Sequence, residues 1–206
     1  MSRYLMTHSL LSSWLYSMKG NSYEDSTTER NPREEFLAVL RREPTPTTEA
    51  MQNGIDFEDT VNALALHQPP TARNADKWYD AAFKIAQYIE GGVSQYRAKK
   101  TIQVQGLPIL LYGRLDWLKA GNIIDIKFSK GYERGKYVDS TQHPVYMELV
   151  PEATVFTYKI SNGVEVWTET YRRDETPSIY PIISDFLDWL QAQGLMEVYK
   201  EHWLAL

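Results

Sequence analysis

The sequence predicts an α/β protein in which a mixed central sheet is flanked by helices. Three observations carry this. Up to Ile89, apolar residues recur at the spacing of one helix face. At Gly91-Gly92 the period changes to alternation, and three consecutive strands follow. A helical segment then crosses to a further hairpin, and two helices close the chain, so the strands are joined both by tight turns and by a helix.

The elements follow in order. Residues 7–19 read as an amphipathic helix with Leu10, Leu11, Trp14, Leu15 and Met18 in one stripe. The stretch MSRYLMTHSLLSSWLYSMKG is assigned to this helix and not to a signal peptide, because Ser, His and Lys interrupt it and no clean cleavage site follows. Asn21–Pro32 is polar and turn-rich, a predicted loop. Pro32 opens a second helix, PREEFLAVLRRE, with acids early and arginines late, as the helix dipole prefers. Glu43–Thr48 breaks it. A third helix runs from about Thr48 to His67, with Phe57, Val61 and Leu64 on one face. PPTARNAD breaks again, and Ala75–Glu90 is a fourth helix with Trp78, Ala82, Ile85 and Ile89 in register.

Ser94–Gln105, Leu107–Lys119 and Ile123–Ser129 then alternate as strands, with Ala120-Gly121-Asn122 as the turn between the last two. Asp139–Leu149 reads as a helix capped by Asp139, Ser140 or Thr141, with Pro144 tolerated in its first turn. Thr154–Ile160 and Glu165–Tyr171 form a hairpin around Ser161-Asn162-Gly163. Helices over Thr176–Gln191 and Leu195–Leu204, separated by Gly194, end the chain. A length of 206 residues suits one domain: an N-terminal helical part (1–50), a core (51–175) and C-terminal helices (176–206).

Composition narrows the chemistry. Hydrophobic residues make up 43%, enough for a sizeable core, and no apolar run is long enough to span a membrane, so a cytoplasmic protein is the expectation. There is no cysteine, which excludes disulfides, an iron–sulfur cluster, a zinc ribbon and a cysteine nucleophile. The four histidines form no metal-ligand spacing, so a bound metal is expected to be hard and oxygen-ligated. A net charge of −5 argues against a broad non-specific coat on nucleic acid. Basic residues do cluster locally, as Arg97, Lys99 and Lys100 and as Lys127, Lys130, Arg134 and Lys136. No internal repeat and no phosphate-binding G-x-x-x-x-G-K is present.

The richest stretch is YGRLDWLKAGNIIDIK, from Tyr112 to Lys127. Alternation sets Leu110, Tyr112, Arg114 and Asp116 on one face of their strand, and Leu111, Gly113, Leu115 and Trp117 on the other. On the next strand Asp125 and Lys127 share a face, with Ile124, Ile126 and Phe128 opposite. Two carboxylates and a lysine meeting on a strand pair suit a bridging cation, since side-by-side carboxylates repel. Mg²⁺ would take both acids and a backbone carbonyl, for which Ile126 lies between the two key side chains. Lys127 would position or help deprotonate a water, or stabilise the phosphoryl transition state. A cross-strand Asp–Lys ion pair on a solvated face is the better account of the D-x-K spacing taken alone.

GRLDWL followed by NIIDIK resembles the core hairpin of the PD-(D/E)XK nuclease superfamily. The likeness is to its RecB-like branch, which includes phage-type exonucleases and CRISPR-adaptation nucleases. Gly113, Asp116, Asp125 and Lys127 match the branch's G-x-x-D strand and D/E-x-K strand. The branch's Q-x-x-x-Y is matched by Gln142 and Tyr146, and its upstream G-x-x-x-E by Gly54 and Glu58, with Asp59 as the alternative register. Ser9-Leu10-Leu11-Ser12 is similar to the serine-containing helix that opens many members. The likeness covers about residues 50–160.

What the resemblance implies is a restriction-endonuclease-like core and a Mg²⁺- or Mn²⁺-dependent DNase without an iron–sulfur cluster. Glu58, Asp116, Asp125 and the Ile126 carbonyl would hold metal, and Lys127 would serve the attacking water. Gln142, Tyr146, Arg114 and Lys130 would contact DNA. An exonuclease in phage or bacterial recombination or repair is the leading expectation, with DNA and a recombination or replication protein as partners. An endonuclease of the same superfamily, or a non-catalytic DNA- or partner-binding module, are the alternatives. A homo-oligomer is compatible with the resemblance. His143 is expected to be a surface helix residue beside Gln142. Tyr112, Tyr132 and Tyr137 lie near the proposed site as stacking surfaces.

Overall fold

The computed structural model describes residues 2–19 and 31–205. The expected loop at Asn21–Pro32 therefore lies almost wholly outside the described residues. Helices and strands alternate as α/β: β1 (Arg3–Met6), α1 (His8–Met18), α2 (Pro32–Leu40), α3 (Glu49–Ala65), α4 (Ala75–Ile89), β2 (Val93–Val104), β3 (Leu107–Lys119) and β4 (Asn122–Phe128). Then come α5 (Gln142–Leu149), β5 (Val155–Ser161), β6 (Val166–Arg172), α6 (Tyr180–Ala192), α7 (Met196–His202) and β7 (Leu204–Ala205).

Most predicted elements stand within a few residues of their expected bounds, because each has a local cause. Thr7, Asn31 and Thr48 each accept a backbone N–H in the first turn of the helix that follows. The β2–β3 and β3–β4 turns each place two residues in the left-handed region, Gln105-Gly106 and Ala120-Gly121, as a two-residue hairpin turn with the strands' twist requires. Three boundaries differ. Arg3–Met6 is a strand, not helix, because it adds to a sheet edge formed by residues a hundred positions on. Leu204–Ala205 is likewise a strand. The helix expected from Thr176 begins at Tyr180, after a 3₁₀ turn at Arg173–Glu175 and with Pro181 in its first turn.

Among the described residues seven strands form one mixed sheet in the order β6-β5-β4-β3-β1-β7, with β2 paired to β3 along its other edge. β4 and β5 are parallel, joined through α5, and β1 is parallel to β3. The remaining pairs are antiparallel. Helices cover both faces. One core gathers α1, α2, α5, α6 and α7 around Leu10, Trp14, Phe36, Tyr146, Phe186 and Tyr199. The other packs α3 and α4 onto the sheet through Phe57, Val61, Trp78, Ile85, Trp117 and Ile126.

The sheet forks at β3. On one edge β1 pairs with Ile109–Leu111 and β4 with Trp117–Lys119, and the residues between them, 112–116, have no strand partner there. The fork is also where strict alternation fails. Leu115 belongs to the core under α5, whereas Trp117 belongs to the core under α3 and α4. The two were expected on one face. The strand turns over at Asp116, which pairs with neither neighbour in the ladders.

Candidate active site

The mouth of the fork is a cavity of about 340 Å³. Its lining draws on five elements: Thr7, His8 and Ser9 from the β1–α1 junction, Glu58 from α3, Tyr112, Gly113, Arg114 and Asp116 from β3, Asp125, Ile126 and Lys127 from β4, and Gln142 and Tyr146 from α5. Residues spread over more than a hundred positions of sequence thus meet at one point.

Each placement has a local reason. Where β3 parts from β4, the Asp116 carboxylate takes over from the ladder, and its Oδ2 accepts the Ile126 N–H at 2.8 Å. In an extended strand a residue's N–H and C=O point to the same edge, so the Ile126 carbonyl also faces the fork. The Ile126 side chain points the other way, into the α3–α4 core. Glu58 enters from the third turn of α3 and accepts a hydrogen bond from Gln95 Nε2 at 3.0 Å. Its neighbour Asp59 is exposed and does not line the cavity, so Glu58 is the residue in register. Gly54, at the head of the G-x-x-x-E match, has open space around it, and no contact demands a glycine there.

Asp125 is buried and held from two sides. Gln142 Nε2 donates to its Oδ1. Lys127 Nζ lies 2.8 Å from its Oδ2 as an ion pair. Gly113 is required by close approach: a Cβ there would stand 2.5 Å from the Tyr146 ring and 2.9 Å from Leu149. The Tyr146 hydroxyl donates to the Arg114 carbonyl at 3.0 Å.

The electrostatics are those of crowded acids. Burial, then Asp125 and Glu58, push the Asp116 carboxyl well above its usual range, against the Ile126 N–H and Lys127. Burial and Asp125 likewise raise Glu58, and the Gln95 hydrogen bond works against them. Burial alone would lower the Lys127 ammonium, but the Asp125 contact and Asp116 more than offset it, so Lys127 is held charged. A charged Lys127 suits an electrostatic role better than that of a base.

Among the expected residues, Glu58, Asp116, Asp125, Ile126, Lys127, Arg114, Gln142 and Tyr146 are brought together, and Lys130 is not. Lys130 is exposed on the turn after β4, outside the cavity lining. Gln142 and Tyr146 are present, yet both are buried and engaged with protein groups. Direct contact with DNA was the expectation; their geometry serves to hold Asp125 and β3. His143 is not a surface residue. It is 1% exposed and stacks on Tyr171 of β6 with ring centroids 4.1 Å apart, because its ring faces that residue and Phe156 and Tyr158 of β5. Tyr112 lines the cavity, whereas Tyr132 and Tyr137 pack toward the core and Glu169.

Sequence reasoning missed two residues. His8 lines the cavity with its ring edge-on to Tyr146, and burial and Lys127 lower its pKa to about 3, which keeps it neutral. Its signal was the adjacent Ser9-Leu10-Leu11-Ser12. Gln95 had none, because its role depends on a backbone conformation described below.

The residues able to hold a hard cation are Glu58, Asp116 and Asp125 with the Ile126 carbonyl. As placed, among the described residues, no three acid or imidazole groups form a closed metal cage. Asp125 is held by Gln142 and Lys127, and Glu58 by Gln95.

No protein-family model matches the chain, and no curated protein matches it. Among solved structures, one described as "Crystal structure of SSO0001" is similar over 79% of this chain and 86% of its own, at 17% identity and a TM-score of 0.42. A likeness of that size carries no argument about activity.

Proposed function

We propose that the chain is a Mg²⁺- or Mn²⁺-dependent deoxyribonuclease of the PD-(D/E)XK type, with a restriction-endonuclease-like core. The observation that carries the reading is the convergence of Glu58, Asp116 and Asp125, from three elements, on one cavity with Lys127 paired to Asp125. Three acids in a half-buried cleft are a costly arrangement for a protein that has no cation to place there. The donor set fits a hard divalent ion: oxygen ligands only, and acids whose mutual repulsion a cation would relieve.

Bound by Glu58, Asp116, Asp125 and the Ile126 carbonyl, the ion would lower the pKa of a water and neutralise charge on a phosphoryl oxygen. The chain's own groups do the rest. Lys127, kept charged by Asp125, donates to a non-bridging phosphoryl oxygen as charge builds there. Gln142 fixes the Asp125 carboxylate, and Tyr146 fixes the strand that carries Asp116. The water oxygen bonds to phosphorus, the bond from phosphorus to the 3′ oxygen breaks, the water's proton passes to solvent, and the 3′ oxygen takes one up. The products are a 5′-phosphate and a 3′-hydroxyl.

The rim supports a polyanionic substrate. Arg97 on β2 lies directly across from Arg114 on β3, and Lys99 lies across from Tyr112. Arg97, Lys99 and Arg114 are exposed, and among the described residues none has an ion pair. Like charges opposed on a ladder destabilise it, and phosphates would offset them. The test uses end-labelled linear DNA and closed circular DNA with Mg²⁺ or Mn²⁺. Loss of the linear substrate alone identifies an exonuclease, the leading expectation; nicking or cutting of circles identifies an endonuclease. Asp125→Ala and Lys127→Ala should each abolish cleavage in a folded protein, and full activity in either purified variant sinks the reading.

A further inference from the structure

Six residues other than glycine adopt positive φ among the described residues, and five of them sit where chains turn: Arg42 and His67 after helices, Asn74 before one, Gln105 and Ala120 in hairpin turns. The sixth, Gln95, lies inside β2 with φ 52°. Its neighbours keep the ladder, with Ser94 paired to Trp117 and Tyr96 to Leu115, so Gln95 stands opposite Asp116 without pairing to it. No residue is inserted on either strand, so this is a local reversal of the backbone and not a bulge. From there the side chain reaches Glu58, donating from Nε2 to Oε1 at 3.0 Å. A strained conformation confined to one residue, beside the two acids the site shares, points to a positional task.

We infer that Gln95 is a positioning residue that holds the Glu58 carboxylate toward the metal site, through the left-handed turn of its own backbone. The inference rests on the metal-dependent reading above. Gln95 restrains Glu58 from rotating away from Asp125, which repels its charge, and Asn62 is a second neutral partner of the carboxylate. With Gln95 in place, one oxygen of Glu58 is fixed by a neutral donor while the carboxylate lines the cavity that would take the cation. A neutral amide suits this task, because a lysine would compete with the metal and a carboxylate would add a fourth repelling charge. The backbone reversal and the hydrogen bond are separable by substitution. Glycine adopts positive φ without cost and carries no side chain, so Gln95→Gly keeps the geometry of β2 and removes only the contact.

The experiment measures Mn²⁺ binding by calorimetry, together with the melting temperature in metal-free buffer, for the wild type, Gln95→Gly, Glu58→Gln and the double variant. Gln95→Gly is expected to melt no lower than wild type and to bind Mn²⁺ about 10-fold more weakly, the scale typical of groups that orient a metal ligand. In the Glu58→Gln background the same substitution should change Mn²⁺ affinity by less than about 2-fold, because its effect runs through Glu58. Wild-type Mn²⁺ affinity in Gln95→Gly overturns the inference while leaving the nuclease reading intact. An equal loss in both backgrounds also overturns it, since Gln95 would then act elsewhere. A wild-type protein that binds no Mn²⁺ removes the metal-dependent reading itself and this inference with it.

Discussion

At the scale of single residues, the site is defined as much by what cannot be larger as by what is charged. Gly113 allows Tyr146 of α5 to reach the strand that carries Asp116. Gly113→Ala should overpack this contact and cost about 1–3 kcal/mol, lowering the melting temperature by on the order of 5 °C. A variant melting like wild type would mean the ring simply steps aside. Tyr146 itself tests the supporting role assigned here. Tyr146→Phe removes one neutral hydrogen bond, to the Arg114 carbonyl, worth about 1 kcal/mol. Stability should drop slightly while affinity for labelled DNA stays within about 2-fold; a large loss of affinity would return Tyr146 to the DNA surface. The match of Gly113, Asp116, Asp125 and Lys127 was visible in the sequence because strand alternation and spacing are local. That Gln142 reaches Asp125 was not visible, since a side chain's partner across two elements leaves no mark on its own neighbours.

At the scale of elements, α5 is the piece that locks the site. It crosses between the parallel strands β4 and β5 and buries Gln142, His143 and Tyr146 together. Thr141, expected to cap it, spends its hydroxyl on the His8 carbonyl at 3.0 Å and on Ser12 at 2.7 Å, tying α5 to α1. Ser140, also among the expected caps, accepts the Gln142 N–H at 3.2 Å. His143 makes α5 sensitive to acid. Burial lowers its pKa from 6.5 to about 4, against the opposing pull of Glu169, so the folded state holds it neutral. Below pH 6.5 the unfolded chain takes up a proton that the folded chain refuses until about pH 4. The stability that neutral His143 contributes is therefore complete above pH 6.5 and is lost as the pH falls toward 4. The wild type should lose ground to His143→Gln across this window, by up to about 3 kcal/mol at 1.36 kcal/mol per unit, in denaturant melts run from pH 7.5 to 4.5. A constant gap between the two proteins would mean that His143 titrates alike in both states.

At the scale of the molecule, the three acids trade stability for a site. Asp116→Asn removes one of the repelling charges yet keeps an oxygen for the Ile126 N–H. At pH 7.5 without metal it should melt about 2–4 °C higher than wild type, as a gain of about 1 kcal/mol gives. Saturating Mn²⁺, which at a hundredfold excess over its dissociation constant would add about 2.7 kcal/mol to the wild type, should leave the variant unmoved. A variant that melts lower without metal would show that the acids are not in mutual repulsion. No helix among the described residues is long and apolar enough to cross a membrane. The sequence by itself determined the kinds and order of the longer elements, the two-residue turns and the acids most suited to chemistry, because periodicity, turn residues and residue type act over a few positions. Only the tertiary structure decided that β3 forks between β1 and β4, that Arg3–Met6 and Leu204–Ala205 are strands, that Glu58 and His8 line the cavity, and that Gln95 reaches Glu58. A four-residue strand has too few residues to show a period, and a backbone reversal inside a strand has no residue signature. Both are held by contacts with residues far away in the chain, and the hairpin's two acids became a site only where the sheet parts around them.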